Sequence, residues 1–157
     1  MKILVVFYSR TGTTKKVGEM IAQKIGADIE EIKDTVNRSG AVGYLRSGRD
    51  AMKKRLTKLE PLERDMADYE LVIIGTPIWA WNLSAPVRTY ITEQKDKFKR
   101  VAFFCTMGGS GDKRAFSEME KLIGRKPEAT LAFRTVDVVK ENIAEGVEKF
   151  AEAINLF

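Results

Sequence analysis

The strongest constraint on how this chain folds is its first stretch. Six consecutive apolar residues, Ile3-Leu4-Val5-Val6-Phe7-Tyr8, pass without a break into Ser9-Arg10-Thr11-Gly12-Thr13-Thr14. A β-branched and aromatic run with no polar alternation suits a strand buried on both faces, as in the middle of a parallel sheet. Beyond Thr14 the period changes. Val17, Met20, Ile21 and Ile25 recur at helical spacing and Gly26 follows, so the segment reads strand, hydroxyl-and-glycine loop, helix. Such a loop lies over helix N-terminal amides that lack intrahelical partners, and its hydroxyls add neutral donors, so a phosphate group suits it. A plain connection with Thr13 or Thr14 as helix cap accounts for the same residues without a ligand. The loop contains no Gly-Lys-Ser/Thr and is not Gly-x-Gly-x-x-Gly.

The same grammar recurs twice. Leu71-Val72-Ile73-Ile74-Gly75 is a second fully apolar run, and it ends in Thr76-Pro77-Ile78-Trp79-Ala80-Trp81-Asn82. Ser84 is placed to cap the next helix with Pro86 in its first turn. Val101-Ala102-Phe103-Phe104-Cys105 is the third run, followed by Thr106-Met107-Gly108-Gly109-Ser110-Gly111 and a helix bearing Phe116, Met119 and Ile123. Asp28–Ile32 is short and half-polar, as an edge strand is. Thr130–Val136 makes a fifth strand, and Ile143, Val147, Phe150, Ala151 and Ile154 share one face of a closing helix. Between residues 34 and 60 the pattern is a loop and then one basic helix with a thin apolar stripe, Val42, Leu45, Met52 and Leu56, ended by Pro61.

Five strands alternating with five helices, joined by right-handed crossovers, predict a single α/β domain over residues 1–157, a three-layer doubly wound sandwich. Ligands of such sheets bind outside the carboxyl ends of the strands. All three distinctive loops, 9–14, 76–82 and 105–111, fall there. Together they describe a ligand with a phosphate at one end and a flat ring at the other. The hydroxyl loop takes the phosphate, and Trp79 and Trp81 offer indoles to a planar ring, unless one of them packs on the neighbouring helix. The glycine loop brings backbone N–H groups close to a ring edge.

Composition narrows the chemistry. The chain of 157 residues holds one cysteine and no histidine. An internal disulfide, a dithiol redox motif, imidazole catalysis and the usual zinc sites are therefore excluded. No apolar run is long enough to span a membrane, and the N-terminus enters a strand directly without a signal peptide, so the expected compartment is the cytoplasm. The net charge is +5, with Arg46, Arg49, Lys53, Lys54, Arg55 and Lys58 gathered around the single acid Asp50. This cluster is either a solvated helix face or a surface for an acidic partner protein, a phosphate-bearing cofactor or a nucleic acid. With Tyr44 its sole aromatic, it offers little for base stacking, and nucleic-acid binding, resting on charge alone, ranks last.

At these loops the sequence resembles the flavodoxin-like family. Ser9-Arg10-Thr11-Gly12-Thr13-Thr14 is similar to its phosphate loop for flavin mononucleotide (FMN), Gly75-Thr76-Pro77-Ile78-Trp79 to its first isoalloxazine loop, and Thr106-Met107-Gly108-Gly109 to its second. The resemblance implies a five-stranded parallel sheet of order 2-1-3-4-5 with FMN bound non-covalently. The cofactor-binding residues it implies are Ser9, Arg10, Thr11, Gly12, Thr13 and Thr14; Thr76, Pro77, Ile78, Trp79, Ala80, Trp81 and Asn82; and Thr106, Met107, Gly108, Gly109 and Gly111. Trp79 is expected beside the ring, with Trp81 more suited to packing.

Two departures bear on function. Electron-carrying flavodoxins are typically acidic, whereas this chain is basic, and residues 105–111 carry no aromatic to cover a second flavin face. The leading expectation is an FMN protein shuttling electrons between redox partners, acidic ones fitting the basic cluster. An FMN-dependent reductase passing electrons from a nicotinamide to a quinone or other small acceptor is the alternative. A non-redox binding module on the same fold is the third.

Overall fold

The computed structural model describes residues 1–155. Strand β1 (Ile3–Phe7) leads through the hydroxyl loop into α1 (Thr13–Ile25), and β2 (Asp28–Glu31) and α2 (Gly40–Met52) follow. Next come β3 (Leu71–Trp79), the two-residue β4 (Asn82–Leu83), α3 (Ala85–Gln94), β5 (Arg100–Met107) and α4 (Asp112–Ile123). β6 (Thr130–Arg134), α5 (Thr135–Val139) and α6 (Ala144–Asn155) close the chain. The parallel strands lie in the order β2-β1-β3-β5-β6, while β4 pairs antiparallel with the end of β3. With β4 set aside as a hairpin arm, this is the expected 2-1-3-4-5 order.

The unalternated runs have the cause inferred for them. Along β1, Leu4 and Val6 join the core under α3 and α4 with Val87, Tyr90 and Met119, while Ile3, Val5 and Phe7 join the core under α1 and α6 with Val17, Ile21 and Phe150. A central strand needs apolar residues at odd and even positions alike. The edge strand β2, with a neighbour on one side only, tolerates its acids. Gly75 is fixed by packing, because a Cβ there would overlap the Phe104 ring on β5.

Besides the β3–β4 hairpin, which takes up Thr76–Trp79 and Asn82–Leu83 where a loop over 76–82 was expected, two elements differ from the sequence expectation. The last strand stops at Arg134, and Thr135 and Val136 begin a short helix favoured by Asp137 in its first turn. The larger difference is α2. Its expected stripe, Val42, Leu45, Met52 and the following Leu56, is exposed, and its buried residues are Gly43, Ser47, Asp50 and Ala51. The reason is Arg38, which is buried beneath the helix and requires polar partners. Arg38 Nη1 donates to Asp50 Oδ2 at 3.1 Å and to Ser47 Oγ at 3.4 Å, and Nε donates to Asp34 Oδ2 at 2.7 Å. A Cβ at Gly43 would overlap the Arg38 backbone, so the helix approaches at that glycine. α2 is thus turned inside out, with small and polar residues inward and apolar residues outward. It also ends well before Pro61. Lys54 adopts a left-handed φ of 54°, and Arg55 N–H reaches back to Asp50 O at 2.9 Å, a closing Schellman-type turn.

Candidate functional site

The carboxyl ends of β1, β3 and β5 open onto two adjoining clefts. The smaller, about 290 Å³, is lined by Ser9, Arg10, Thr11, Thr13 and Thr14, by Pro77, Ile78 and Trp79, by Thr106, Met107 and Gly108, and by Tyr44 and Thr135. The larger, about 700 Å³, lies between α2 and the β3–β4 hairpin and is lined by Tyr44, Leu45, Gly48, Arg49 and Met52, by Ile78, Trp79, Ala80 and Trp81, and by Gly108, Gly109 and Ser110. Tyr44, Ile78, Trp79 and Gly108 form the wall common to both.

The hydroxyl loop is built by Ser9 and Gly12. Neither Thr13 nor Thr14 caps α1. The cap position is Gly12, at the left-handed φ of 97° that glycine adopts readily. Ser9 Oγ accepts from Gly12 N–H at 3.0 Å and Lys15 N–H at 3.1 Å. Both lone pairs are then used, and its proton is left free to donate. The hydroxyls of Thr11 and Thr13 are unengaged by any other described residue, whereas buried Thr14 shares a 2.8 Å hydrogen bond with Thr106 that ties this loop to the third. Arg10 donates to Arg38 O at 3.1 Å and lies 5.6 Å from the Tyr44 ring centre.

Trp79 and Trp81 take different roles. Trp79 is half-buried, edge-on to Tyr8 with ring centres 5.6 Å apart, and the Arg38 guanidinium sits 5.4 Å from its centroid. Ala80 and Trp81, the two residues turning β3 into β4, have φ of 47° and 61°. Positive φ at both central positions marks a type I′ turn, which lifts Trp81 into solvent. The expectation that Trp81 serves packing is therefore corrected, and Trp79 is the packed indole. Beneath the turn Gly111 allows close approach, since a Cβ there would come within 2.8 Å of Ile78 Cγ2 and 3.0 Å of Trp81 Cα.

Among the expected site residues, Gly12, Thr76, Asn82 and Gly111 line neither cleft. Gly12 caps α1 and Gly111 supports the hairpin. Thr76 Oγ1 is committed to Pro77 O at 2.8 Å and to Ser84 N–H at 3.0 Å, and buried Asn82 Oδ1 accepts from Leu83 N–H and Arg88 Nη2. The other expected residues are brought together. The sequence reading missed Tyr44, Leu45, Gly48, Arg49 and Met52 of α2, Ser110, and Thr135, whose hydroxyl donates to Met107 O at 3.2 Å. The signal available for α2 was its set of bulky apolar residues at helical spacing, which gives a stripe but not its direction. The aromatic absent from residues 105–111 is supplied to the clefts by Tyr44 from this helix.

Among the described residues no carboxylate lines either cleft, and Arg10 and Arg49 are their charged residues. Burial raises the Tyr8 phenol above its ordinary pKa, with Asp34 adding to the rise and Arg38 and Arg10 opposing it. Burial likewise raises the Cys105 thiol, leaving it protonated and inert. Among the described residues no cluster of acids and cysteine could hold a metal, and no helix is long and apolar enough to cross a membrane.

The family model described as Flavodoxin matches residues 2–150. The chain belongs to the flavodoxin family. Its fold is similar to that of a Lactobacillus acidophilus NCFM flavoprotein crystallised in complex with FMN, with 26% identity, TM-score 0.72, and 89% of this chain and 97% of that one covered. It is also similar to oxidised flavodoxin 2 of Bacillus cereus (17% identity, TM-score 0.64, both chains fully covered) and to two-electron reduced Megasphaera elsdenii flavodoxin (19%, TM-score 0.59, 96% of each chain). No curated protein sequence matches the chain. Within the flavodoxin fold, the inverted α2 and the cleft it walls are the features of this member that its three loops do not announce.

Proposed function

We propose that this flavodoxin binds FMN at the joined clefts and transfers electrons through it. The observation that carries the reading is the lining itself, a carboxylate-free cleft with unengaged hydroxyls over a helix N-terminus at one end and indoles at the other. Ser9, Thr11 and Thr13 are the donors for a phosphate, with the α1 amide field and the Arg10 charge beside them. Thr14 and Thr106 hold the first and third loops in register through their shared hydrogen bond. Trp79, on the wall common to both clefts and braced by Tyr8 and Arg38, backs a planar ring. Gly108 and Gly109 keep the backbone of the third loop open to the ring edge. FMN supplies the redox chemistry when bound, and the protein sets its orientation and access.

Electron exchange with a redox partner protein is the primary role. Direct reduction of a small acceptor is the second reading, and the observation favouring it is the third loop, whose residues 105–111 carry no aromatic to cover a ring held there. The visible spectrum of the purified protein is the test. Flavin absorption bands that survive gel filtration are expected. A colourless protein that takes up no added FMN would return the chain to the binding-module reading.

A further inference from the structure

The outward face of α2 is left uncovered by the fold. A shallow hollow of about 230 Å³ is lined by Val42, Leu45, Arg46 and Arg49, all from this helix. Val42 and Leu45 are 74% and 70% exposed, and exposed Met52 follows them at helical spacing. This apolar row stays in solvent because Arg38 claims the polar side of the helix. Contiguous exposed apolar surface marks an interaction site more often than isolated apolar residues do. Leu45 and Arg49 also line the larger cleft, so the hollow and the cleft proposed for the flavin share a wall.

The basic cluster divides in two at this row. Lys54 and Arg55 are engaged by Glu118 and Asp50. Arg46, Arg49 and Lys53 are exposed, and among the described residues they form no ion pair. Asp50, the one acid of α2, is turned to Arg38, so no acid of the helix offsets them. Arg46 and Arg49 line the same hollow as Val42 and Leu45, which places charge and apolar surface on one face. A helix lying in a lipid interface keeps its cations on the face opposite its apolar one. Protein interfaces, by contrast, gather arginine with apolar residues near their centres. A second copy of the chain would set these cations against their like. The complement of this face is an apolar patch edged by carboxylates.

Resting on the FMN reading above, we propose that the outward face of α2, centred on Val42, Leu45, Arg46 and Arg49, is the docking surface for an acidic electron-transfer protein. Apolar contact at Val42 and Leu45 fixes the site. The unpaired cations steer the approach and reject basic proteins. The wall shared with the larger cleft seats the partner beside the flavin, so one helix serves both the cofactor and the partner. Lys54 and Arg55, already engaged within the chain, contribute little to this surface.

The test follows the amide resonances of isotope-labelled, FMN-loaded protein during titration with plant-type ferredoxin, which is acidic, and with cytochrome c, which is basic. Shifts confined to residues 42–53 are expected with ferredoxin, none with cytochrome c, and the ferredoxin affinity should fall steeply with added salt. Arg46→Glu with Lys53→Glu should weaken ferredoxin by about tenfold or more while the flavin spectrum stays unchanged. Lys121→Glu with Arg125→Glu makes the same charge change where α4 ends, away from the third loop, and should alter the affinity less than about twofold. Val42→Ser should weaken ferredoxin without changing its salt dependence. Shifts elsewhere on the surface, equal binding of cytochrome c, full affinity in the charge-reversed α2 variant, or no binding of ferredoxin to FMN-loaded protein would each overturn the docking surface and leave the cofactor reading intact. So would α2 shifts that grow with the protein's own concentration, or binding to phosphatidylserine vesicles in place of ferredoxin; these would assign the face to a second copy or to a lipid surface. A protein that takes up no FMN would overturn both.

Discussion

Arg38 does more to shape the site than any residue of the three loops. It holds Asp34 and Asp50, lies against Trp79, and offers its backbone oxygen to Arg10. Arg38→Met is expected to leave the buried carboxylate of Asp34 without a counter-charge and that of Asp50 with Arg55 alone, at a cost of about 3–5 kcal/mol. Urea unfolding measures it, and a loss below about 1 kcal/mol would show that the carboxylates find other partners. Arg38 gave no sign of this in the sequence, where it is one basic residue in a glycine-containing loop, because burial of a lone arginine is decided by what folds over it. The hydroxyl loop was legible for the opposite reason, since its residues act where the chain places them. For the FMN proposed here, Thr11→Ala with Thr13→Ala removes two unengaged donors. Each lost bond to a charged group should cost about 1.5–3 kcal/mol, read from the flavin fluorescence that returns on dissociation. An unchanged dissociation constant in the double variant would place the phosphate elsewhere.

At the scale of elements, the runs of β1, β3 and β5 were plain from sequence, while the segment after Gly75, read as a loop, continues β3 to Trp79 and turns into β4. A strand buried on both faces has no direction left to decide. The helix α2 was not plain. Periodicity gives a helix an apolar side, yet its orientation here is set by a tertiary demand, the polar needs of Arg38. The segment after α2 is held by α4. Glu118 accepts from Arg88 Nη1 of α3 at 3.0 Å and pairs with Lys54 Nζ at 3.2 Å. Burial works to raise the pKa of Glu118, but the hydrogen bonds from Arg88 and Lys54 together outweigh it, and the carboxyl titrates below its ordinary value of 4.5. A depressed carboxylate contributes stability in full above its unfolded pKa and loses it as pH falls through the folded one. Glu118→Gln should therefore lower the melting temperature by a constant amount between about pH 6 and pH 8, and the gap should narrow below about pH 4.5. A gap independent of pH down to strong acid would assign the loss to packing alone.

For the molecule as a whole, the sum of charges was readable from composition and its arrangement was not. The net charge of +5 is accompanied by clefts that carry arginines and no carboxylates. Full reduction of a bound flavin adds electron density, so neighbouring cations favour the reduced form. Arg10→Gln should then make the two-electron midpoint potential of the bound flavin more negative. At an effective dielectric near 20, about 1 kcal/mol of lost interaction corresponds to a shift on the order of 20 mV. Redox titration against a reference dye reads the sign directly, and a shift toward positive values would mean that other charges control the flavin.

The turn at Ala80 and Trp81 has a consequence for anyone redesigning the chain. A type I′ turn is most comfortable as Asn-Gly, and here it is made by alanine and tryptophan, both in the left-handed region. Substitution guided by turn statistics would begin at this position and gain thermal robustness. The same substitution removes the indole that the turn holds in solvent beside the larger cleft. Selection for stability and retention of this aromatic wall therefore pull on one dipeptide in opposite directions, and a variant library scored on melting temperature alone would discard Trp81 among its first changes.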